Sequence, residues 1–274
     1  MTDRYGVVGS PIAHSLSPAI HNAAFEVCGI DAEYRAYDVP AGYDEFCGFV
    51  DNARLRGLSV TLPHKENALR YAGRNSEALA SKIGAANTLL LAGAEPYACN
   101  TDYPAILSAI CDVLEIALDD LAGVKVAVLG AGGAARAAVA GLVACGSTVR
   151  IYNRTRARAD ELADEFGAQA ADWDDRGGLD AAIVVNATSV GLAPNVDASP
   201  LPAEALRGDL VVFDTIYNPL ETRLLREARA AGARTIDGLE MFVRQGADQF
   251  QRFTDHEAPV EVMRAAALAK LSAG

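Results

Sequence analysis

Apolar and polar positions alternate along this chain in short blocks that switch between the two-residue period of strands and the three-to-four-residue period of helices. In the first hundred or so residues the pattern predicts strands at Tyr5–Gly9, Glu33–Val39 and Leu58–Thr61, with helices over Pro18–Cys28 and Tyr43–Asn52. Asn87–Ala92 and Tyr97–Asn100 read as two more strands, joined by a turn at Gly93-Ala94-Glu95, before a helix from Tyr103 to Leu118. Beyond it, Lys125–Leu129, Thr148–Tyr152, Ala182–Asn186, Leu210–Asp214 and Arg234–Ile236 are apolar strands. Helices at Ala134–Cys145, Arg158–Phe166 and Glu221–Ala231 lie between them, the last stopped by Gly232 in the usual place for a helix C′ residue. Glu240–Phe253 and Val260–Leu271 are amphipathic helices with no strand after them. This alternation predicts an α/β chain with two domains, residues 1–102 and a doubly wound unit at 103–237, and C-terminal helices at 238–274 that pack back on the first domain.

One block carries a ligand signal. The strand Lys125–Leu129 breaks into Gly130-Ala131-Gly132-Gly133-Ala134 and opens a helix, the order of a dinucleotide-binding turn in a Rossmann-type domain. Gly130 permits the tight turn, Gly132 lets backbone N–H groups approach a pyrophosphate, and Ala135 lets helix pack on strand. Glycines here can also serve the turn alone, so the sequence that follows decides. An NAD site usually has an acid roughly 20 residues on, at the end of the second strand. Here that strand ends in Asn153, and Arg154, Arg156 and Arg158 crowd the place of a 2′-phosphate, which guanidinium groups match bidentately. The expected cofactor is NADP.

Composition narrows the partners. The 274 residues are 51% hydrophobic and 22% charged, with no run approaching the roughly 20 apolar residues of a membrane span. A formal charge of −12 disfavours nucleic acid, whose phosphates need a basic surface. Cys28, Cys47, Cys99, Cys111 and Cys145 are scattered and odd in number, which argues for reduced, packed thiols. His14, His21, His64 and His256 show no zinc-ligand spacing, so no metal is expected. Met1–Tyr5 moves directly into a strand without a secretory or transit pattern, which predicts a cytoplasmic protein, a monomer or homodimer acting on a small molecule.

A second group of residues bears chemistry. Ser59-Val60-Thr61-Leu62-Pro63-His64-Lys65 runs off a strand end and places Lys65 in the first turn of a helix, where a cation opposes the helix dipole. Lys65 is either an exposed surface residue or a proton donor to an alkoxide formed as hydride reaches a ketone. Cys99-Asn100-Thr101-Asp102 supplies a neighbouring acid, although Asp102 or Thr101 could equally cap the next helix. Ser17 before Pro18 reads as a helix N-cap that does not need Ser15; both hydroxyls could meet one carboxylate there. Asn87 starts a strand, where an amide serves either a turn or a ligand.

Together these stretches resemble the shikimate dehydrogenase family, NADP enzymes of aromatic amino-acid biosynthesis, from about Val7 to Phe253. Ser-Leu-Ser-Pro at 15–18, Ser-Val-Thr-Leu-Pro-His-Lys at 59–65, Asn-Thr at 87–88 and Asn-Thr-Asp at 100–102 occur in the family's order. They are followed by Gly-Ala-Gly-Gly-Ala at 130–134, Asn-Arg-Thr at 153–155, Asn-Ala-Thr-Ser at 186–189, Asp-Thr-Ile-Tyr-Asn-Pro at 214–219 and Asp-Gly-Leu at 237–239. The resemblance implies a substrate domain first and an NADP domain second. It implies that Ser15 and Ser17, helped by Tyr217, hold a carboxylate, and that Thr61, Asn87, Asp102 and Gln245 bind ring hydroxyls. Lys65, paired with Asp102, would be the acid/base as NADPH reduces the C3 carbonyl of 3-dehydroshikimate. Gly130, Ala131, Gly132, Gly133 and Ala134 would hold the pyrophosphate, Asn153, Arg154, Thr155 and Arg158 the 2′-phosphate, with Ile216 and Gly238 near the nicotinamide. Ala105, where relatives often have glycine, and Glu240, where they have a small residue, depart from the pattern. Two rivals stay in view: a quinate/shikimate dehydrogenase that prefers NAD, against which the arginines and Ser17 count, and a ligand sensor without catalysis, against which Lys65 and Asp102 count.

Overall fold

The computed structural model describes residues 2–273. In chain order its first elements are β1 (Asp3–Gly9), α1 (Ser17–Val27), β2 (Ala32–Asp38), α2 (Tyr43–Ala53), β3 (Gly57–Val60), α3 (Lys65–Ala72), α4 (Ala78–Ile83), β4 (Thr88–Leu90) and β5 (Tyr97–Cys99). Then follow α5 (Asp102–Leu114), β6 (Lys125–Leu129), α6 (Gly133–Ala144), β7 (Thr148–Tyr152), α7 (Arg156–Phe166), β8 (Gln169–Ala171), β9 (Ile183–Asn186), β10 (Val211–Asp214), α8 (Arg223–Ala230), β11 (Arg234–Ile236), α9 (Gly238–Thr254) and α10 (Val260–Ser272). The chain divides into two compact units, one made of Met1–Thr101 with Val243–Gly274, the other of Asp102–Phe242.

The first unit is built on a five-stranded sheet of order β2-β1-β3-β4-β5. β1 lies parallel to both β2 and β3, whereas β4 and β5 run antiparallel. Val8, Leu58, Val60 and Leu89 pack against Phe46, Val50 and Ala68 of α2 and α3. An aromatic cluster of Tyr5, Phe25, Phe250 and Phe253 joins β1, α1 and α9, with ring centroids 5.4–5.6 Å apart. Each such ring, taken fully out of water, contributes on the order of 2–3 kcal/mol. The C-terminal helices thus supply part of this unit's core: α10 packs on α1, and a Cβ on Gly246 would stand 2.7 Å from Ile20 Cδ1, so α9 approaches α1 closely.

The second unit carries six parallel strands in the order β11-β10-β9-β6-β7-β8. The central strands read as continuous apolar runs because both faces are covered. Val126, Ala127, Val128 and Leu129 of β6 are all buried. The order reverses at β6, and the carboxyl end of such a switch point is where ligands of these folds bind.

Several element ends differ from the sequence reading. Ser17 is not an N-cap: Leu16 holds the cap position without a side-chain bond, α1 begins at Ser17, and Ser15 Oγ accepts the Ser17 N–H at 3.3 Å. Pro18 tolerates this because its missing N–H falls in the first turn. The helix after Asp102 stops at Leu114, with Glu115 in the left-handed region at φ 58°. α7 begins two residues before the expected Arg158. α8 begins later than expected because Thr222 caps it, accepting from Leu225 N at 3.3 Å.

Candidate active site

In the first unit the candidate residues gather at one end of the sheet. Thr61 follows β3 and donates its backbone N–H to Val8 O at 2.9 Å, while Ser10 N donates to Leu62 O at 3.0 Å. Gly9 makes this approach possible: a Cβ there would sit 2.5 Å from Thr61 Cγ2 and 2.9 Å from Leu62 O. Since β4 is antiparallel to β3 and Ser59 stands opposite Thr88, Asn87 lies at the same sheet end as Thr61. Val60 N donates to Asn87 O at 2.7 Å across that junction. Ser15 and Ser17 follow β1, and Gln245 is carried by α9.

Lys65 is the first residue of α3 and half-buried. Its position is fixed by His64, which is fully buried and stacked on Phe46 with centroids 5.2 Å apart. The His64 Nε2–H donates to Val39 O at 2.9 Å and Nδ1 accepts from Asn67 Nδ2 at 3.1 Å, a tautomer assigned from these partners. Asn67 also donates to Gly42 O at 3.1 Å. His64 had no role in the sequence reading, since a lone histidine carries no spacing signal.

Asn87 is 2% exposed and tightly oriented. Its Oδ1 accepts from Thr101 N and from the Thr88 hydroxyl, both at 2.8 Å, and its Nδ2 donates to Thr101 Oγ1 at 2.9 Å. Next in the chain, Asp102 opens α5 and is buried, an acid favourably placed at a helix N-terminus. Burial pushes the neighbouring Cys99 thiol up to about 12, which makes it unreactive.

The second unit brings together the predicted dinucleotide residues. Gly130 has φ 108°, and a Cβ on it would stand 2.8 Å from Ala187 O, so both conformation and space require glycine. Gly132 and Gly133 face open space at the start of α6, where backbone N–H groups meet an anion. A pocket of about 160 Å³ beside them is lined by Gly130, Ala131, Gly132, Asn153, Arg154, Trp173 and the segment from Ala187 to Val190. The donors and the open glycine edge fit a dinucleotide with a phosphate on its adenosine ribose. Trp173, Thr188 and Ser189 line this pocket without having been assigned to it from sequence. Trp173 follows an edge strand too short to show a pattern, and the Thr188–Ser189 hydroxyls have no signal apart from the family motif.

The three arginines separate. Arg156 is engaged within the protein, with Nε on Asp160 and Nη1 on Asp172, each at 2.8 Å. Among the described residues, Arg154 and Arg158 have no ion-pair partner, and Arg154 lines the pocket. Asn153 donates to Thr155 O at 2.8 Å, which fixes the turn that presents them.

Ile216, Tyr217 and Gly238 meet after β10. A Cβ on Gly238 would come within 2.4 Å of the Ile216 carbonyl carbon, so only glycine fits. The Tyr217 ring lies 5.2 Å from that of Phe242, and burial raises the phenol's pKa. Asp237 caps α9 by accepting from Glu240 N at 3.0 Å, which places Glu240 in the first turn as a half-buried acid.

A glycine-edged helix start with uncommitted arginines beside it handles a phosphorylated dinucleotide, and a lysine set at a sheet end among hydroxyls and amides handles a polyhydroxylated small molecule. Fold and site therefore define a dinucleotide-dependent oxidoreductase of two units. Models of the shikimate dehydrogenase substrate binding domain, of shikimate / quinate 5-dehydrogenase and of the shikimate 5'-dehydrogenase C-terminal domain match residues 7–89, 112–190 and 238–268. The chain belongs to the shikimate dehydrogenase family. It is 46% identical to the shikimate dehydrogenase (NADP(+)) of Halobacterium salinarum, over 98% of this chain and 100% of that one. The Methanosarcina barkeri enzyme of the same name is 43% identical over 99% of each. The crystal structure of shikimate 5-dehydrogenase from Thermus thermophilus with NADP(H) and shikimate superposes with a TM-score of 0.87 at 39% identity, over 98% of this chain and 100% of that one.

Proposed function

We propose that this chain reduces 3-dehydroshikimate to shikimate with NADPH, reversibly, as a step of aromatic amino-acid biosynthesis in the cytoplasm. The observation that carries the reading is the convergence of Ser17, Thr61, Lys65 and Asn87 on one sheet end in a chain whose full-length relatives bear that name. NADPH, when bound, supplies a hydride to the C3 carbonyl carbon. Lys65 gives a proton to the C3 oxygen as the carbonyl becomes an alcohol, and takes it back in the reverse reaction. Asp102 is assigned to the same acid/base step in support of Lys65.

The other residues bind and orient. Ser15, Ser17 and the Tyr217 hydroxyl donate to the substrate carboxylate. Thr61, Asn87, Asp102 and Gln245 take the ring hydroxyls. Gly130 to Ala134 receive the pyrophosphate at the start of α6, and Asn153, Arg154, Thr155 and Arg158 the 2′-phosphate. Ile216 and Gly238 flank the nicotinamide. Steady-state assays with shikimate and quinate, each with NADP+ and NAD+, test the reading. A higher kcat/KM for shikimate with NADP+ is expected, and a preference for quinate with NAD+ would overturn it.

A further inference from the structure

The two loops that leave β9 and β10 are fastened to each other within the dinucleotide unit. Asn186 ends β9, Asp214 ends β10, and the two stand opposite each other in the sheet, both fully buried. Asn186 Oδ1 accepts the Thr188 N–H at 3.1 Å and the Thr188 hydroxyl at 2.7 Å, so its Nδ2 faces Asp214 and donates to Oδ1 at 2.9 Å. Having given its hydrogen away, Thr188 Oγ1 accepts from Val190 N at 3.1 Å. On the other strand, Asp214 Oδ1 also accepts Ile216 N at 3.1 Å, and Oδ2 takes the Thr222 hydroxyl at 2.7 Å.

Further bonds join the same two loops. Thr215 donates its N–H at 3.0 Å and its hydroxyl at 2.9 Å to Asn186 O, and Ala193 N donates to Asn218 O at 3.1 Å. A Cβ on Gly191 would stand 3.9 Å from Ile216 Cδ1, so the loops are in contact there as well. All three groups that meet Asp214 arrive as donors, which suits a carboxylate, since it only accepts. Every polar atom of the two side chains is spent on a protein partner. What they govern is therefore where Thr188, Val190 and Ile216 stand.

We propose that Asn186 and Asp214 are positioning residues for the cofactor, which hold the loop of Ile216 in register with the pocket wall at Thr188–Val190. The nicotinamide and adenosine ends of one bound NADP then meet their contacts together. This rests on the reading of that pocket as the adenosine site and of Ile216 as a neighbour of the nicotinamide. Asn186 serves both ends, because it anchors Thr188 and orients Asp214. Asp214 serves the Ile216 end.

The test uses the full-length enzyme and 2′,5′-ADP, a probe of the adenosine end alone. Its stoichiometry in calorimetry counts competent sites, and kcat for shikimate with NADP+ is expressed per site. Asp214→Ala strips Ile216 N of its acceptor and should lower that kcat by roughly tenfold, with the 2′,5′-ADP Kd within about twofold of wild type. Asp214→Asn offers an oxygen to the same two donors and should recover most of the loss. Asn186→Ala releases Thr188 too, and should lower kcat and raise the 2′,5′-ADP Kd by roughly fivefold each. In the double variant kcat should fall no further than in Asp214→Ala, because both changes break one link. If either alanine variant does not fold, Thr222→Val takes the donor from Oδ2 and should lower kcat by about threefold, with Thr222→Ser restoring it. A wild-type kcat per site in Asp214→Ala or Thr222→Val, an unchanged 2′,5′-ADP Kd in Asn186→Ala, or additive losses in the double variant would each overturn the proposal. A wild-type enzyme that turns over shikimate with NADP+ and does not bind 2′,5′-ADP would instead remove the reading on which it rests.

Discussion

Asn186 donates its side-chain amide to Asp214 at 2.9 Å, and this one bond ties together the ends of the two strands that frame the dinucleotide unit's functional loops. Asn186 Oδ1 holds Thr188 through its N–H at 3.1 Å and its hydroxyl at 2.7 Å, which sets the pocket wall. Asp214 Oδ1 accepts Ile216 N at 3.1 Å and Oδ2 the Thr222 hydroxyl at 2.7 Å. Both side chains are fully buried.

Burial raises Asp214 from 3.8 to about 6, against the opposing effect of Thr222, Ile216 N and Asn186. The unfolded carboxyl then ionises first as pH rises. Asp214 thus contributes its full stability below the unfolded value and loses it through the window from 3.8 to about 6, by up to about 3 kcal/mol. Asp214→Asn keeps the shape without the charge. Thermal unfolding between about pH 4 and about pH 7 should show the melting temperature of the variant, relative to wild type, increasing with pH. A difference that is constant or decreases would rule this out.

Lys65→Ala should lower kcat by roughly 10²- to 10⁴-fold with little change in the shikimate KM, the scale of a lost acid/base. Unchanged turnover would remove Lys65 from the reaction. His64→Ala should lower the melting temperature as well, since it strips a stacked ring and two hydrogen bonds from the turn that sets Lys65.

Arg154→Ala combined with Arg158→Ala should raise the KM for NADPH far more than that for NADH, because only the former carries the phosphate. Arg156→Ala should leave that ratio where it was. Its ion pairs with Asp160 and Asp172 are exposed, so little stability should be lost as well. Equal losses with both cofactors in the double variant would mean that the arginines serve structure alone.

Trp173 is the single tryptophan of the chain and lines the dinucleotide pocket. Titration with 2′,5′-ADP, which has the adenosine phosphates but no nicotinamide, should change its emission with saturation, and Trp173→Leu should weaken binding of the same probe in calorimetry. Emission that does not respond to saturating probe would place the indole outside the bound cofactor's reach.

The sequence showed some of this directly. Lys125–Leu129, Thr148–Tyr152 and Arg234–Ile236 match the observed strands end for end, because apolar runs bounded by turns carry their own limits. β8 went unseen: Gln169-Ala170-Ala171 has neither β-branched nor alternating residues and becomes a strand by pairing with β7. Arg156 seemed equivalent to its neighbours since nothing in spacing foretells that Asp172 comes within 2.8 Å. Gln249 was equally hidden. A glutamine on an amphipathic helix reads as polar face, and only the fold shows that Ser59, Asn87 and Thr88 surround it.

The first unit is interrupted in sequence by the whole of the second. During synthesis, β1 to β5 must therefore wait for Phe250, Phe253 and α10 while the inserted unit is made, on the order of ten seconds at ~5–20 residues per second. The nucleotide-binding unit is continuous and has its sheet complete before α9 ends, so the part begun first is finished last. On the ribosome, the sheet that leads into Lys65 is the one whose core closes last.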